Sequence, residues 1–162
     1  MVNYESKLIR YAWRFTGDRE RARDVVQDTF LKLVTTDRAS LDGKLAPWLY
    51  TVCRNRALDV RRKEARMDVL EHTKLESRPS TNAGPDELAA RNEDHAAVLA
   101  ALAELPEDQQ ELFRLKFEHG MTYREIAAVV NRPLSSVNAD LTKTLRTIRK
   151  RLHGHVNIAQ EG

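Results

Sequence analysis

The sequence predicts an all-α chain of two small helical domains joined by a flexible linker, and three observations carry that prediction. Apolar residues recur at helical spacing in two blocks, 1–66 and 95–153, and no strand-like alternation is visible in either. Between them, 67–94 turns charged and polar around Arg78-Pro79-Ser80-Thr81-Asn82-Ala83-Gly84-Pro85, and so long a loop inside one domain is rare. Finally, Met121–Leu141 has the spacing of a helix-turn-helix: a short capped helix, a three-residue break and a second helix. Residues 154–162 read as a short tail without further domains.

The first block holds three helices, enough for a small bundle. Residues 3–15 place Leu8, Ile9, Ala12 and Phe15 inward and end near Gly17. Asp18 can then cap a second helix reaching Val34, with Val25, Val26, Phe30, Leu33 and Val34 as its core set. Thr35–Leu45 reads as a loop. Pro47 stands near the start of a third helix, Trp48 to about Arg66. Leu49, Val52, Cys53, Ala57 and Val60 share one side of that helix; Trp48, Asn55, Asp59, Arg62 and Arg66 form a stripe near the other. After the linker, helical periodicity returns in Ala96–Leu105, Pro106 opens a helix through Phe117, and Gly120 ends it.

The helix-turn-helix follows. Thr122 precedes Glu125 by three residues and so can form a reciprocal capping box, while Ile126, Ala127, Val129 and Val130 supply a buried face. Asn131 tolerates the left-handed turn, Pro133 forbids continuation, and Ser135 is a natural cap for the next helix. On that helix Val137, Leu141, Leu145, Ile148 and Leu152 share one arc; Ser135, Ser136, Ala139, Lys143, Arg146 and Lys150 lie opposite. Small or hydrogen-bonding residues come first and cations later, as expected of a helix whose start meets base edges and whose remainder meets phosphates. An amphipathic helix with a solvated basic face is the alternative.

Composition bounds the function. The net charge of +3 is too mild to establish nucleic-acid binding, but it is unevenly spread: +6 over 1–66, −4 over 67–101 and +1 over 102–162. A single cysteine, Cys53, excludes an intramolecular disulfide and fits a core position in a reducing cytoplasm. No run approaches the 18 apolar residues of a membrane span and no secretion signal opens the chain, so a soluble, intracellular protein is expected. No phosphate-binding glycine loop, metal-ligand cluster or nucleophile elbow is present, so no enzyme activity, cofactor or small-molecule substrate is expected. His153 and His155 are too few to hold a metal.

On the 48–66 helix, an aromatic in line with an amide and cations is what unpaired DNA needs: a flat surface for a base, hydrogen bonds to its edge, and charge for the backbone. Arg54, Arg61 and Lys63 widen the positive surface. Equally, Trp48 could be a core residue at the bundle edge, and Arg61-Arg62-Lys63 a solvated helix end favoured by the dipole.

Three stretches, DRERARDVVQDTFLKLV at 18–34, PWLYTVCRNRALDVRRKEAR at 47–66 and LAELPEDQQELFRLKFEHGMTYREIAAVVNRPLSSV at 102–137, resemble the extracytoplasmic-function group of bacterial RNA polymerase sigma factors. The resemblance implies a first domain that docks on core RNA polymerase and melts the −10 promoter element, and a second that reads −35 in the major groove. It implies core-polymerase contacts by Asp24, Gln27, Asp28 and Leu31. Asn55 and Asp59 would read −10 bases beside Trp48, and Arg61, Arg62 and Lys63 would hold promoter backbone. For −35 it implies Arg124, Ser135, Ser136, Asn138, Ala139 and Lys143, with Arg146 behind them. An anti-sigma factor is a further expected partner; a sigma-like module that sequesters such a factor, or a dimeric helix-turn-helix regulator, are the competing readings. The chain begins about a dozen residues before Arg14-Phe15-Thr16-Gly17, so the extra N-terminal helix common in the group is expected to be shortened or missing. Asn138 and Asp140 replace basic residues common in the group, which should weaken −35 affinity.

Overall fold

Helical periodicity becomes seven α-helices in the residues that this computed structural model describes, 4–71 and 93–161, with side chains through 70 and from 93 to 154. Most of the expected linker and the side chain of His155 lie outside the described residues. The chain divides into two units, Met1–Pro85 and Asp86–Gly162.

In the first unit α1 (Tyr4–Thr16), α2 (Arg19–Val34) and α3 (Leu45–Glu71) pack pairwise on one another. Gly17 turns the chain after α1 at φ 70°, and the Asp18 carboxylate accepts the Glu20 N–H at 3.1 Å to start α2. Leu8, Ala12, Phe15, Val25, Val26, Leu49, Cys53 and Ala57 are buried as their spacing predicts. Tyr11 and Tyr50, outside the predicted core set, join them. Tyr11 meets the rings of Phe15 and Tyr50 edge-on at 5.3 and 5.2 Å, contacts worth about 0.5–1.5 kcal/mol each beyond the area they bury.

Val34 is not a core residue: it is 82% exposed, while Phe30 and Leu33 are half-buried. Nine positions carry Val34 about 180° round the helix from Val25. Its expected place is taken by Thr29, buried with its hydroxyl donating to the Val25 carbonyl at 2.8 Å. A polar residue is thus accommodated in the core stripe without an unmet hydrogen bond.

The expected loop contains a short 3₁₀ turn, Arg38–Leu41, with Asp37 accepting the Ala39 N–H and Leu41 buried. Helix α3 begins three residues earlier than expected. The first α-helical hydrogen bond of α3 runs from the Trp48 N–H to the Lys44 carbonyl at 3.1 Å, so Pro47 sits where a missing N–H costs nothing. At its other end α3 continues past Arg66 to Glu71, because Arg62–Glu71 contains no glycine or proline.

The second unit comprises α4 (Glu93–Ala103), α5 (Glu107–Phe117), α6 (Tyr123–Val130) and α7 (Leu134–Glu161). Leu102, Leu112, Leu115, Ile126, Val129, Val137 and Leu141 are nearly inaccessible and form its interior. Beside them Ala101, Leu105 and Ile148 pack with Val98, Phe113 and Leu152, so α4 closes over the far half of α7. Thr144 is buried in the apolar arc with its hydroxyl donating to the Asp140 carbonyl at 2.7 Å. The α7 backbone stays helical where a tail from 154 was expected, since Gly154 alone weakens a helix without ending it. Among the described residues no helix is long and apolar enough to cross a membrane, and no group of three His, Cys, Asp or Glu could hold a metal.

Candidate nucleic-acid interface

The turn between α6 and α7 is built by local chemistry. The Thr122 hydroxyl accepts the Glu125 N–H and the Glu125 carboxylate accepts the Thr122 N–H, both at 3.1 Å. At the other end of α6, Asn131 adopts φ 54°, ψ 50°, and the N–H groups of Asn131 and Arg132 both donate to the Ala127 carbonyl. The Pro133 carbonyl accepts the Val137 N–H at 3.1 Å, so α7 starts at Leu134 and Ser135 lies in its first turn instead of capping it. Proline there ends one helix and supplies the first acceptor of the next.

That geometry leaves Ser135, Asn138, Ala139, Lys143 and Arg146 exposed on α7 with Ser136 half-buried, and Arg124 exposed on α6. An open hollow of about 410 Å³, lined by Thr122, Tyr123, Arg124, Leu134 and Asn138, lies where the two helix starts meet. It brings Arg124 and Asn138 together, which the helical wheel of α7 alone could not do. Lys116 stands over the Tyr123 ring at 5.0 Å from its centre, a cation–π contact that fixes the hollow's wall. Asp140, the acid in the first two turns of this helix, is not bare: Arg132 Nη2 donates to its Oδ2 at 2.5 Å.

On α3, Asn55, Asp59, Arg62 and Lys63 are exposed along one side, with Arg61 and Trp48 half-buried. Trp48 therefore falls between the core and surface readings. Asp59 pairs with Arg62 at 3.6 Å, both mostly exposed, a contact worth at most about 1 kcal/mol. Behind this face Cys53 is fully buried, with its Sγ donating to the Leu8 carbonyl at 3.9 Å, and loss of water pushes its thiol up to about 12. Its role is packing.

The α2 residues Asp24, Gln27, Asp28 and Leu31 are all exposed on one stripe. Val34 extends that stripe, about 20° from Gln27 on the wheel; with Leu31 at 66% and Val34 at 82% exposure, it ends in an apolar patch. Asp28 is engaged inside the chain, accepting from Arg56 Nε of α3 at 2.9 Å. Arg21 of α2 pairs with Glu64 of α3 as well. Arg56, Arg132 and Val34 are the residues that sequence reasoning missed. Only Val34 carried a usable signal, its angular distance from the core stripe.

Comparison with known proteins matches a different family to each unit. The family described as Sigma-70 region 2 matches residues 1–67, and that described as Sigma-70, region 4 matches residues 95–148. ECF RNA polymerase sigma factor SigL of Mycobacterium tuberculosis is 31% identical, covering 88% of this chain and 80% of its own length. RNA polymerase sigma factor YlaC of Bacillus subtilis is 26% identical over 92% of this chain and 87% of its own. Among solved structures, the sigma factor RpoE of Bartonella quintana, co-crystallised with the anti-sigma factor NepR, has a similar fold. Its TM-score is 0.62 at 23% identity, covering 92% of this chain and 91% of the other. Two matched regions in the order that the helices predict, with a relative at 31% identity, show that the chain belongs to the sigma-70 family, in its extracytoplasmic-function group of RNA polymerase sigma factors.

Proposed function

We propose that the chain is a promoter-specificity subunit whose residues 1–66 dock on core RNA polymerase and capture unpaired −10 bases, while 95–153 read −35 duplex and 67–94 link the two. The observation that carries the reading is the pairing, in one chain, of two different DNA-compatible surfaces. The α7 start offers small hydrogen-bonding side chains beside Arg124, suited to base edges in a major groove. The α3 face offers Asn55 and Asp59 beside Arg61, Arg62 and Lys63 with Trp48 at its head, suited to a strand whose bases have left the stack. Asp24, Gln27, Asp28 and Leu31, with Val34, supply an acidic stripe ending in an apolar patch, the complement of a basic and partly apolar clamp.

The subunit does no bond chemistry of its own and uses no cofactor. It acts in the bacterial cytoplasm, where its polymerase works, and an anti-sigma factor that covers these same surfaces is its expected regulator. A decoy that binds an anti-sigma factor without using DNA drew its support from Asp140, and the pairing of that acid with Arg132 withdraws it.

Purified core polymerase plus this chain, offered genomic fragments of the source organism, should yield promoter-dependent transcripts. Core that is neither bound nor redirected would sink the proposal. Asp24→Arg with Asp28→Arg should abolish core binding, and normal holoenzyme formation by that variant would overturn the assignment of α2.

A further inference from the structure

We propose that Arg132 is a further promoter-contacting residue, a phosphate contact on the flank of the recognition helix, and that Asp140 is the residue that positions it; this rests on the −35 reading above. Arg132 stands in the break between α6 and α7 and is held at both ends. Its N–H donates to the Ala127 carbonyl at 3.1 Å, and its Nη2 donates to Asp140 Oδ2 at 2.5 Å. The two side chains remain 32% and 31% exposed, so the pair is reachable from solvent. On an ideal wheel Asp140 lies about 40° from Ser136 and about 60° from Lys143, on the opposite flank from Asn138. The recognition face is thus bracketed, by Arg124 and Asn138 on one side and by the Arg132–Asp140 pair on the other.

The chemistry favours the arginine as the group that meets DNA. Its contact with Asp140 runs through Nη2, leaving Nε and Nη1 unused among the described residues; a guanidinium carries five N–H donors and takes phosphate oxygens through paired ones. A helix in the major groove has phosphates along both flanks. An unheld arginine would lose side-chain freedom on binding, and Asp140 restricts it beforehand. The acid that charge counting treats as a repulsive defect therefore places a cation at the groove edge.

The sign of one substitution tests this. In holoenzyme reconstituted from core and full-length chain, promoter affinity is measured between about 50 and 200 mM salt. Arg132→Ala should weaken binding roughly three- to tenfold and make the log–log salt slope shallower by about 1. Asp140→Ala should also weaken binding although it removes a negative charge, Asp140→Asn should fall between it and the unaltered chain, and the double alanine variant should be no weaker than Arg132→Ala. Tighter or unchanged binding by Asp140→Ala, or an unchanged slope for Arg132→Ala, would overturn the proposal. A pair that only staples the turn would lower the melting temperature and leave the slope alone. Arg124→Ala and Lys143→Ala serve as controls: if neither weakens promoter binding, it is the −35 reading that has failed.

Discussion

Leu31 and Val34 offer a quantitative test of the polymerase-docking surface, because both are large apolar residues that the fold leaves uncovered, at 66% and 82% exposure. Burying a methylene group is worth about 0.8 kcal/mol. Leu31→Ala removes three carbons and Val34→Ala two; scaled by exposure, these would contribute about 1.6 and 1.3 kcal/mol to an interface that covers them completely. Partial covering lowers the sum, so the double variant should lose about 2–3 kcal/mol, or about 30- to 150-fold in Kd for core polymerase. Folding stability should stay within about 0.5 kcal/mol, as is usual for surface substitutions. Titration of labelled chain with purified core measures the first quantity and thermal unfolding the second. A Kd within threefold of the unaltered chain would refute the docking assignment. A large fall in melting temperature would instead mean that the patch is covered within the fold.

The remaining predictions address the two DNA surfaces and the core. Thr122→Ala breaks the capping box and should cost about 1 kcal/mol in a thermal or denaturant melt of the second unit; Thr122→Ser should retain most of it. Asn131→Ala should cost about 1–2 kcal/mol in the same melt because its backbone is left-handed, and Asn131→Gly should not. Arg62→Ala with Lys63→Ala should reduce promoter opening, read as permanganate-reactive thymines, while holoenzyme still forms; loss of core binding would mean that this surface was misassigned. Cys53 has a folded pKa of about 12 against its ordinary 9.0. The stability advantage of the unaltered chain over Cys53→Ala should therefore be full below pH 9 and shrink as pH rises from 9 toward 12, by an amount on the order of a few kcal/mol. Unchanged relative stability across that window would contradict the burial argument.

The helix-turn-helix was legible because its determinants are local. Thr122 pairs with Glu125 three residues on, Asn131 and Pro133 each bond four residues away, and the apolar arc from Val137 to Leu152 repeats at the helical period. The expected cap at Ser135 lies two positions too late for an equally local reason: the Pro133 carbonyl takes the first helical hydrogen bond, and caps are ambiguous when several candidates adjoin. The long reach of α3 followed from the absence of a breaker after Arg66, which propensity registers and the onset of a polar segment masks.

Side-chain partnerships between helices were not legible. Asp28 meets Arg56 across 28 positions, Arg132 meets Asp140 across eight and a turn, and Arg124 shares a hollow with Asn138 of the next helix. By itself the sequence determined the helices, the two blocks and the faces that each helix offers, since these depend on periodicity, caps and breakers within a few residues. Only the tertiary structure decided which charges are already paired, that Arg124 and Asn138 line one hollow, and that Asp140 is joined to an arginine. Those outcomes depend on where neighbouring elements place their side chains in space, which separation along the chain does not encode.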